Sequence, residues 1–225
     1  GLGHEFTKQY LEKNHRVFAT CRNPNQAQAL HDLKQEFPYK LSIHKFDVIN
    51  SQSRKQFFDE INHLTETIDI LINNAGIITG GPERDYTLKK QKKEDFLKVF
   101  RTNSIAPVLN VEKFLPLLKN SPQGKIINIS SAMGSISLKS GHHNYAYSAS
   151  KTALNMFTKL LANELQSDEI IVVSLHPGWV KTDMGGKAAP YEKQESVSRL
   201  IKVIANLTLK TTGTFRDFQN TELPW

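Results

Sequence analysis

Short apolar runs of strand length alternate with segments of helical period along the whole sequence, and that alternation admits few folds. The runs are HRVFATCR from His15, KLSIHKFDV from Lys40, IDILINNA from Ile68, KIINISS from Lys125, IIVVSLHP from Ile170 and GTFRDF from Gly213, all rich in β-branched or aromatic residues. Helical stretches fall at 3 to 14, 24 to 36, 51 to 62, 94 to 119, 146 to 166 and 192 to 207. In the fifth, Ala153, Leu154, Phe157, Leu160, Leu161 and Leu165 recur at the three- and four-residue spacing of an apolar face. Strands that alternate with helices build a parallel sheet covered on both faces, so the expected class is an α/β, doubly wound, three-layer fold. One domain spanning 1–225 is expected.

Composition removes several alternatives. No run reaches the eighteen or so apolar residues of a membrane span, and no charged-then-apolar leader is visible. The chain therefore reads as soluble and cytoplasmic. Cys21 is the single cysteine, which rules out an internal disulfide, and no Cys/His cluster has metal-ligand spacing. His142 and His143 lie in a polar Gly/Ser/Asn stretch that reads as surface loop. The net charge of +7 is dispersed and interleaved with acids. Only KKQKKEDF, Lys89 to Phe96, is dense, and it reads as a solvated turn entering a helix. With no aromatic platform and no basic stripe, nucleic acid is not an expected partner.

In doubly wound sheets, ligands bind at the carboxyl ends of the strands, and here those ends carry unusual residues. Gly1 and Gly3 suit a turn in which backbone N–H groups approach a pyrophosphate at a helix start. A bare turn explains two glycines equally well. Arg22 follows the strand from His15, nineteen residues after Gly3, with no acid beside it. In a nucleotide fold that position meets the ribose 2′ substituent, and an arginine there favours NADPH over NADH. Asn73 to Gly76, NNAG, combines two amides and two small residues where backbone would lie against a ligand. Tyr147 and Lys151 stand four apart at the start of the long helix and share one face, about 5 to 6 Å apart at Cβ. A nearby ammonium favours the phenolate, so the phenol's pKa is expected to fall from its reference value of about 10. Tyr145 lies on another face. Ser131 closes INISS at a strand end, placed to hydrogen-bond the same substrate oxygen.

Together these residues resemble the short-chain dehydrogenase/reductase family. The glycine turn, FDV, NNAG, the asparagine of FRTNSIAPV, INISSAMG, YSASK and HPGWVKTDM occur in that family's order across nearly the whole chain. GLG, TCRN, the long segment between Gly134 and Tyr145 and the closing LPW are similar to the branch that includes C-factor proteins and sniffer-type carbonyl reductases. The resemblance implies an NADPH-dependent carbonyl reductase with a tetrad of Asn103, Ser131, Tyr147 and Lys151. Tyr147 would protonate the carbonyl oxygen and Ser131 would orient it. Lys151 would lower the phenol's pKa and hold the nicotinamide ribose, and Asn103 would position a water. Asp47 and Val48 would line the adenine pocket, and Asn74, Ala75 and Gly76 would lie against the adenosine ribose. Pro177, Gly178, Val180 and Thr182 would fix the nicotinamide carboxamide, and the glycine-rich segment after Thr182 would be a substrate lid. A homodimer or homotetramer built on helices 94 to 119 and 146 to 166 is also implied. The partner would be a small carbonyl or alcohol. A second reading is a regulatory protein that binds NADP(H) without turnover.

Two departures matter. The spacing from Ser131 to Tyr147 is longer than usual in the family, which reshapes the substrate pocket. The chain also opens inside its glycine turn, GLGHEF, so the family's first strand and first glycine are expected to be missing. That strand belongs between those from His15 and Ile68. Either these two stand roughly 9.6 Å apart with unpaired backbone, or they close up and carry Arg22 toward the catalytic side. On both alternatives the chain as written is expected to be poorly soluble or inactive, and a version with the strand restored to reduce carbonyls.

Overall fold

The computed structural model describes residues 1–79, 87–142 and 144–225; His143 lies outside the described residues. The element order is α1 (Leu2–Glu12), β1 (Val17–Cys21), α2 (Gln28–Glu36), β2 (Leu41–Lys45), α3 (Ser51–Leu64) and β3 (Ile70–Asn73), then α4 (Lys93–Phe100), α5 (Ala106–Lys119), β4 (Lys125–Ile129), α6 (Tyr145–Glu164), β5 (Ile171–His176), α7 (Lys193–Ala205) and β6 (Phe215–Asp217). Every run expected to be a strand contains one, and the architecture is the expected Rossmann-like, doubly wound α/β fold.

Strands β3, β4, β5 and β6 pair in that order, all parallel. Lys125–Ile129 and Ile171–Leu175 are buried throughout, as strands covered on both faces must be. One face packs Ile127, Ile171 and Val173 against Phe6 of α1 and Leu200 and Ile204 of α7. The other packs Ile126 and Val172 against Val111 and Leu118 of α5 and Ala162 of α6. Each of these fully buried aliphatic side chains contributes about 1.5–3 kcal/mol.

Strand β1 pairs only with β2, in parallel from Val17↔Leu41 to Cys21↔Lys45. No strand pairing joins β1 to β3. Residues of both strands instead line a cavity of about 690 Å³. Of the two arrangements expected for β1 and β3, paired or apart, the structure shows the second. Tyr10 lines this cavity, and its hydroxyl is buried with no hydrogen-bond partner among the described residues. Helices α3 and α5 join the two parts beside the cavity. Phe57 of α3 packs against Phe114 of α5 at 5.2 Å between ring centroids, with Phe46, Ile61 and Leu117 around them.

The helix expected over 94 to 119 is two helices joined by a wide turn, Arg101–Ile105. Pro107 has no N–H to give the carbonyl four residues earlier, and its ring crowds that carbonyl, which belongs to Asn103. The turn widens to relieve this, as such bulges do. The basic run resolves as expected: a turn at Leu88–Lys90 leads into α4. Among the described residues no helix is long and apolar enough to cross a membrane.

Candidate active site

The carboxyl end of β4 organises the site. Ser131 follows it with extended backbone, and its hydroxyl accepts from the Met133 N–H at 3.2 Å, capping a short turn at Ala132–Gly134. That turn lies flat on α6. A Cβ added to Gly134 would stand 2.8 Å from both the carbonyl carbon and the Cβ of Lys151, so only a glycine allows the approach. Thr152 Oγ1 donates to the Gly134 carbonyl at 2.9 Å, which locks the contact. Ser131 is thereby placed beside the Tyr147 phenol.

Tyr147 is 9% exposed and Lys151 4% exposed. Lys151 Nζ donates to the Ile129 carbonyl at 2.7 Å and lies 5.8 Å from the centroid of the Tyr147 ring. Burial pushes the lysine's pKa down to about 8, so at neutral pH it is still the ammonium. The phenol behaves differently from the sequence expectation. Burial raises the pKa of Tyr147, and the hydrogen bond from Ser131 opposes that shift. Desolvation of the phenolate is the larger cause, and the Lys151 ammonium is engaged with the Ile129 carbonyl. A phenol held protonated is a proton donor. Tyr145, two residues earlier, is 37% exposed and points elsewhere.

Asn103 sits on the wide turn, fully buried. Its Oδ1 accepts from the Ile77 N–H at 2.9 Å, while its Nδ2 donates to the Ile77 carbonyl at 2.9 Å and to Ser150 Oγ at 3.1 Å. It ties the chain just after NNAG to α6. Gly76 comes between them: a Cβ there would lie 3.6 Å from Asn103 Oδ1 and 3.7 Å from Lys151 Nζ. The structure thus brings Asn103, Ser131, Tyr147, Lys151 and Gly76 into one cluster, with Ala75 adjoining.

The other expected contacts surround it. A Cβ on Gly3 would stand 2.7 Å from Asn74 Nδ2, so the first turn of α1 is seated on NNAG. Gly1 precedes that turn and is exposed. Arg22, Asn23, Asp47, Asn50 and Ser53 line a surface depression at the far side. Asp47 Oδ1 accepts from the Ile49 N–H at 3.2 Å, and the Val48 carbonyl accepts from Arg54. On the near side Pro177 is held by Ser196, whose hydroxyl donates to its carbonyl at 2.6 Å. Gly178 follows with a φ of 82°, and Val180 bridges to Tyr191. Thr182 Oγ1 accepts from the Gly185 N–H at 3.0 Å, starting a fold-back.

Three contributors were not read from the sequence. Ser150, fully buried, connects Asn103 to the Tyr147 carbonyl, to which its hydroxyl donates at 2.7 Å. Trp179 Nε1 donates to the Gly185 carbonyl at 2.8 Å and clasps the expected lid segment. Arg54 is buried behind Val48. For Ser150 the signal was its place three residues after Tyr147, one turn along the helix; for the other two there was none.

Residues 1–193 match the model of the short chain dehydrogenase family, and the chain belongs to that family. It is 35% identical over 167 residues to the C-signal of Myxococcus xanthus, covering 73% of this chain and 96% of that protein. Its structure is similar to the carbonyl reductase Sniffer of D. melanogaster, with a TM-score of 0.94 and 34% identity, covering 100% of this chain and 95% of that one. It is also similar to the NADPH-bound carbonyl reductase from chicken fatty liver, with a TM-score of 0.93, 34% identity and the same coverage.

Proposed function

We propose that this chain reduces an aldehyde or ketone to an alcohol with NADPH, Tyr147 supplying the proton. The observation that carries this reading is the buried Tyr147 phenol, set beside Ser131 at the end of β4, with the Lys151 ammonium 5.8 Å from the centre of its ring. Ser131 orients the substrate oxygen and Tyr147 gives its proton as that oxygen gains charge. Lys151 holds positive charge close to the phenol. Asn103 keeps the Ile77 backbone and α6 in register, so the lysine and Gly76 stay in place.

The fit to a dinucleotide rests on small residues and donors in one line. Gly1 and Gly3 open α1, Ala75 and Gly76 present backbone with little side chain, and the Asn74 amide lies against Gly3. Asp47 and Val48 flank the adenine end, and Arg22 meets the 2′-phosphate. Pro177, Gly178, Val180 and Thr182 hold the other end beside Lys151. Bound NADPH supplies the hydride. The carbonyl reductase from chicken fatty liver is NADPH-bound, which agrees with an arginine at position 22. Because β1 and β3 do not pair, Arg22 is not carried toward Tyr147, and the displacement expected from strand closure falls away. The expected poor solubility or inactivity then rests on the unpaired backbone of these two strands alone, and turnover by the 225-residue chain would overturn it.

Exchanging Arg22 for Asp should weaken NADPH and favour NADH. A lost charge-assisted contact is worth about 1.5–3 kcal/mol, or roughly ten- to a hundredfold. Dissociation constants for both nucleotides check this, and an unchanged ratio would remove Arg22 from the site. Leu97, Ile105 and Leu109 on one side and Met156 and Leu160 of α6 on the other are exposed apolar residues, which supports a homodimer or homotetramer on these helices. Light scattering at micromolar concentration should give a multiple of the chain mass; a monomeric mass contradicts it.

The test of the function is NADPH oxidation by the purified chain against a panel of aldehydes and ketones. Saturable binding of NADPH with no oxidation by any member would favour the regulatory reading, for which the C-signal likeness is the motive.

A further inference from the structure

A line of buried polar side chains crosses the molecule between the two parts of the split sheet. Arg54, on α3, is 7% exposed. Its guanidinium donates to the Val48 carbonyl and, from Nε at 3.0 Å, to Asn110 Oδ1 on α5. Asn110 Nδ2 donates to Asn73 Oδ1 at 3.1 Å, and Asn73 Nδ2 donates to Asn128 Oδ1 at 2.9 Å. Asn128 Nδ2 then donates to Thr158 Oγ1 at 2.9 Å. All of these side chains are buried.

The direction of this relay is set at its first member. Guanidinium has donors and no acceptor, so Asn110 must turn its oxygen to Arg54 and its NH₂ to Asn73, and each later amide is oriented in turn. An arginine buried without a hydrogen-bonded carboxylate is a costly choice at a helix interface. Burial lowers its pKa, with Glu112 acting the other way at longer range. An aliphatic side chain would seal the same contact without that cost. What the arginine adds is a fixed bond to the Val48 carbonyl, across the gap from Asn73.

We infer that Arg54 is a positioning residue for the adenine end of the cofactor site, tying the Asp47–Asn50 loop to the strand that ends in Asn73 and Asn74. The inference rests on the NADPH reading for its functional consequence, but the tether is a property of the folded chain. The loop's amides report on it directly. The Asp47 N–H bonds Ser53 Oγ at 3.0 Å, Ile49 N–H bonds Asp47 Oδ1 at 3.2 Å and Asn50 N–H bonds the Asp47 carbonyl at 3.0 Å.

The experiment compares the 225-residue chain with Arg54→Met, which keeps the stem and removes the donors. Two quantities are read: amide hydrogen exchange at Asp47, Ile49 and Asn50 against that of β4 and β5, and dissociation constants for NADPH and adenosine 2′,5′-bisphosphate. Arg54→Met should speed exchange in the loop by about tenfold while β4 and β5 keep their rates, as for a local rather than a global opening. Both dissociation constants should rise by the same factor, about tenfold, because the defect lies in the part the two ligands share. Unchanged loop exchange, or equal acceleration everywhere, would overturn the inference, since the latter is plain destabilisation. Unchanged affinity for both ligands would also overturn it. If Arg54→Met fails to fold, the same readouts on Arg54→Lys decide, because an ammonium lacks the planar fork that spans both acceptors. Lack of NADPH binding by the unsubstituted chain would sink the proposed function, and loop exchange would still decide the tether.

Discussion

Replacing Tyr147 by Phe is expected to abolish carbonyl reduction, lowering turnover by about a hundred- to ten-thousandfold, the usual contribution of a positioned general acid. The substitution keeps the ring in its buried place and removes only the hydroxyl. Ser131 and Lys151 lose a neighbour but keep their bonds to Met133 and Ile129. NADPH affinity should therefore change by less than about threefold, since the hydroxyl serves the reacting oxygen rather than the nucleotide. Tyr145→Phe is the matched control: its ring is partly exposed, and turnover should stay within about twofold. A loss at position 145 as severe as at 147 would mean that the wrong tyrosine has been assigned. Comparable turnover in Tyr147→Phe and the unsubstituted chain would sink the assignment of the acid.

The second large effect is expected from one methyl group. Gly134→Ala places a Cβ 2.8 Å from two carbon atoms of Lys151 and 3.0 Å from its carbonyl oxygen. None of these is the free end of a flexible side chain, so the Ala132–Gly134 turn must lift from α6 by several tenths of an ångström. Ser131 caps that turn and moves with it. A shift of order 1 Å between groups that share a reacting oxygen costs about a hundredfold in rate, and overpacking costs about 1–3 kcal/mol in stability. The two consequences separate cleanly, because turnover falls even at temperatures where the variant is fully folded. Turnover within twofold of the unsubstituted chain, measured well below its melting temperature, would show that the turn has slack and that Ser131 is not held by it.

Much of this site was legible in the sequence because its residues announce themselves by type and interval. A tyrosine and a lysine four apart, a serine closing an apolar strand and an NNAG at another strand end need no tertiary information. The alternation of β4 and β5 with their helices placed the sheet for the same reason. What was hidden depends on contacts across the chain. The wide turn at Arg101–Ile105 comes from Pro107 acting inside an otherwise regular helical pattern, and periodicity does not register a one-residue change in hydrogen-bond step. The direction of the phenol's shift was misread because spacing reports the lysine and not the depth of burial. The Ile129 carbonyl that accepts from the ammonium is on a different element. Arg54 carried no signal in the sequence, and only its packing against Asn110 marks it. Whether β1 and β3 would pair or stand apart was left open by the sequence, and the structure shows them unpaired.

The most direct measurement of the central claim follows the hydride. NADPH carrying deuterium at the transferred position of its nicotinamide is incubated with the chain and an aldehyde or ketone that it oxidises NADPH against, and the alcohol is analysed by mass spectrometry. The account predicts one deuterium on the former carbonyl carbon, formed by the unsubstituted chain and lost with Tyr147→Phe. NADPH that binds saturably while no deuterated alcohol forms from any carbonyl tested, or deuterated alcohol that forms equally well without the Tyr147 hydroxyl, would contradict it.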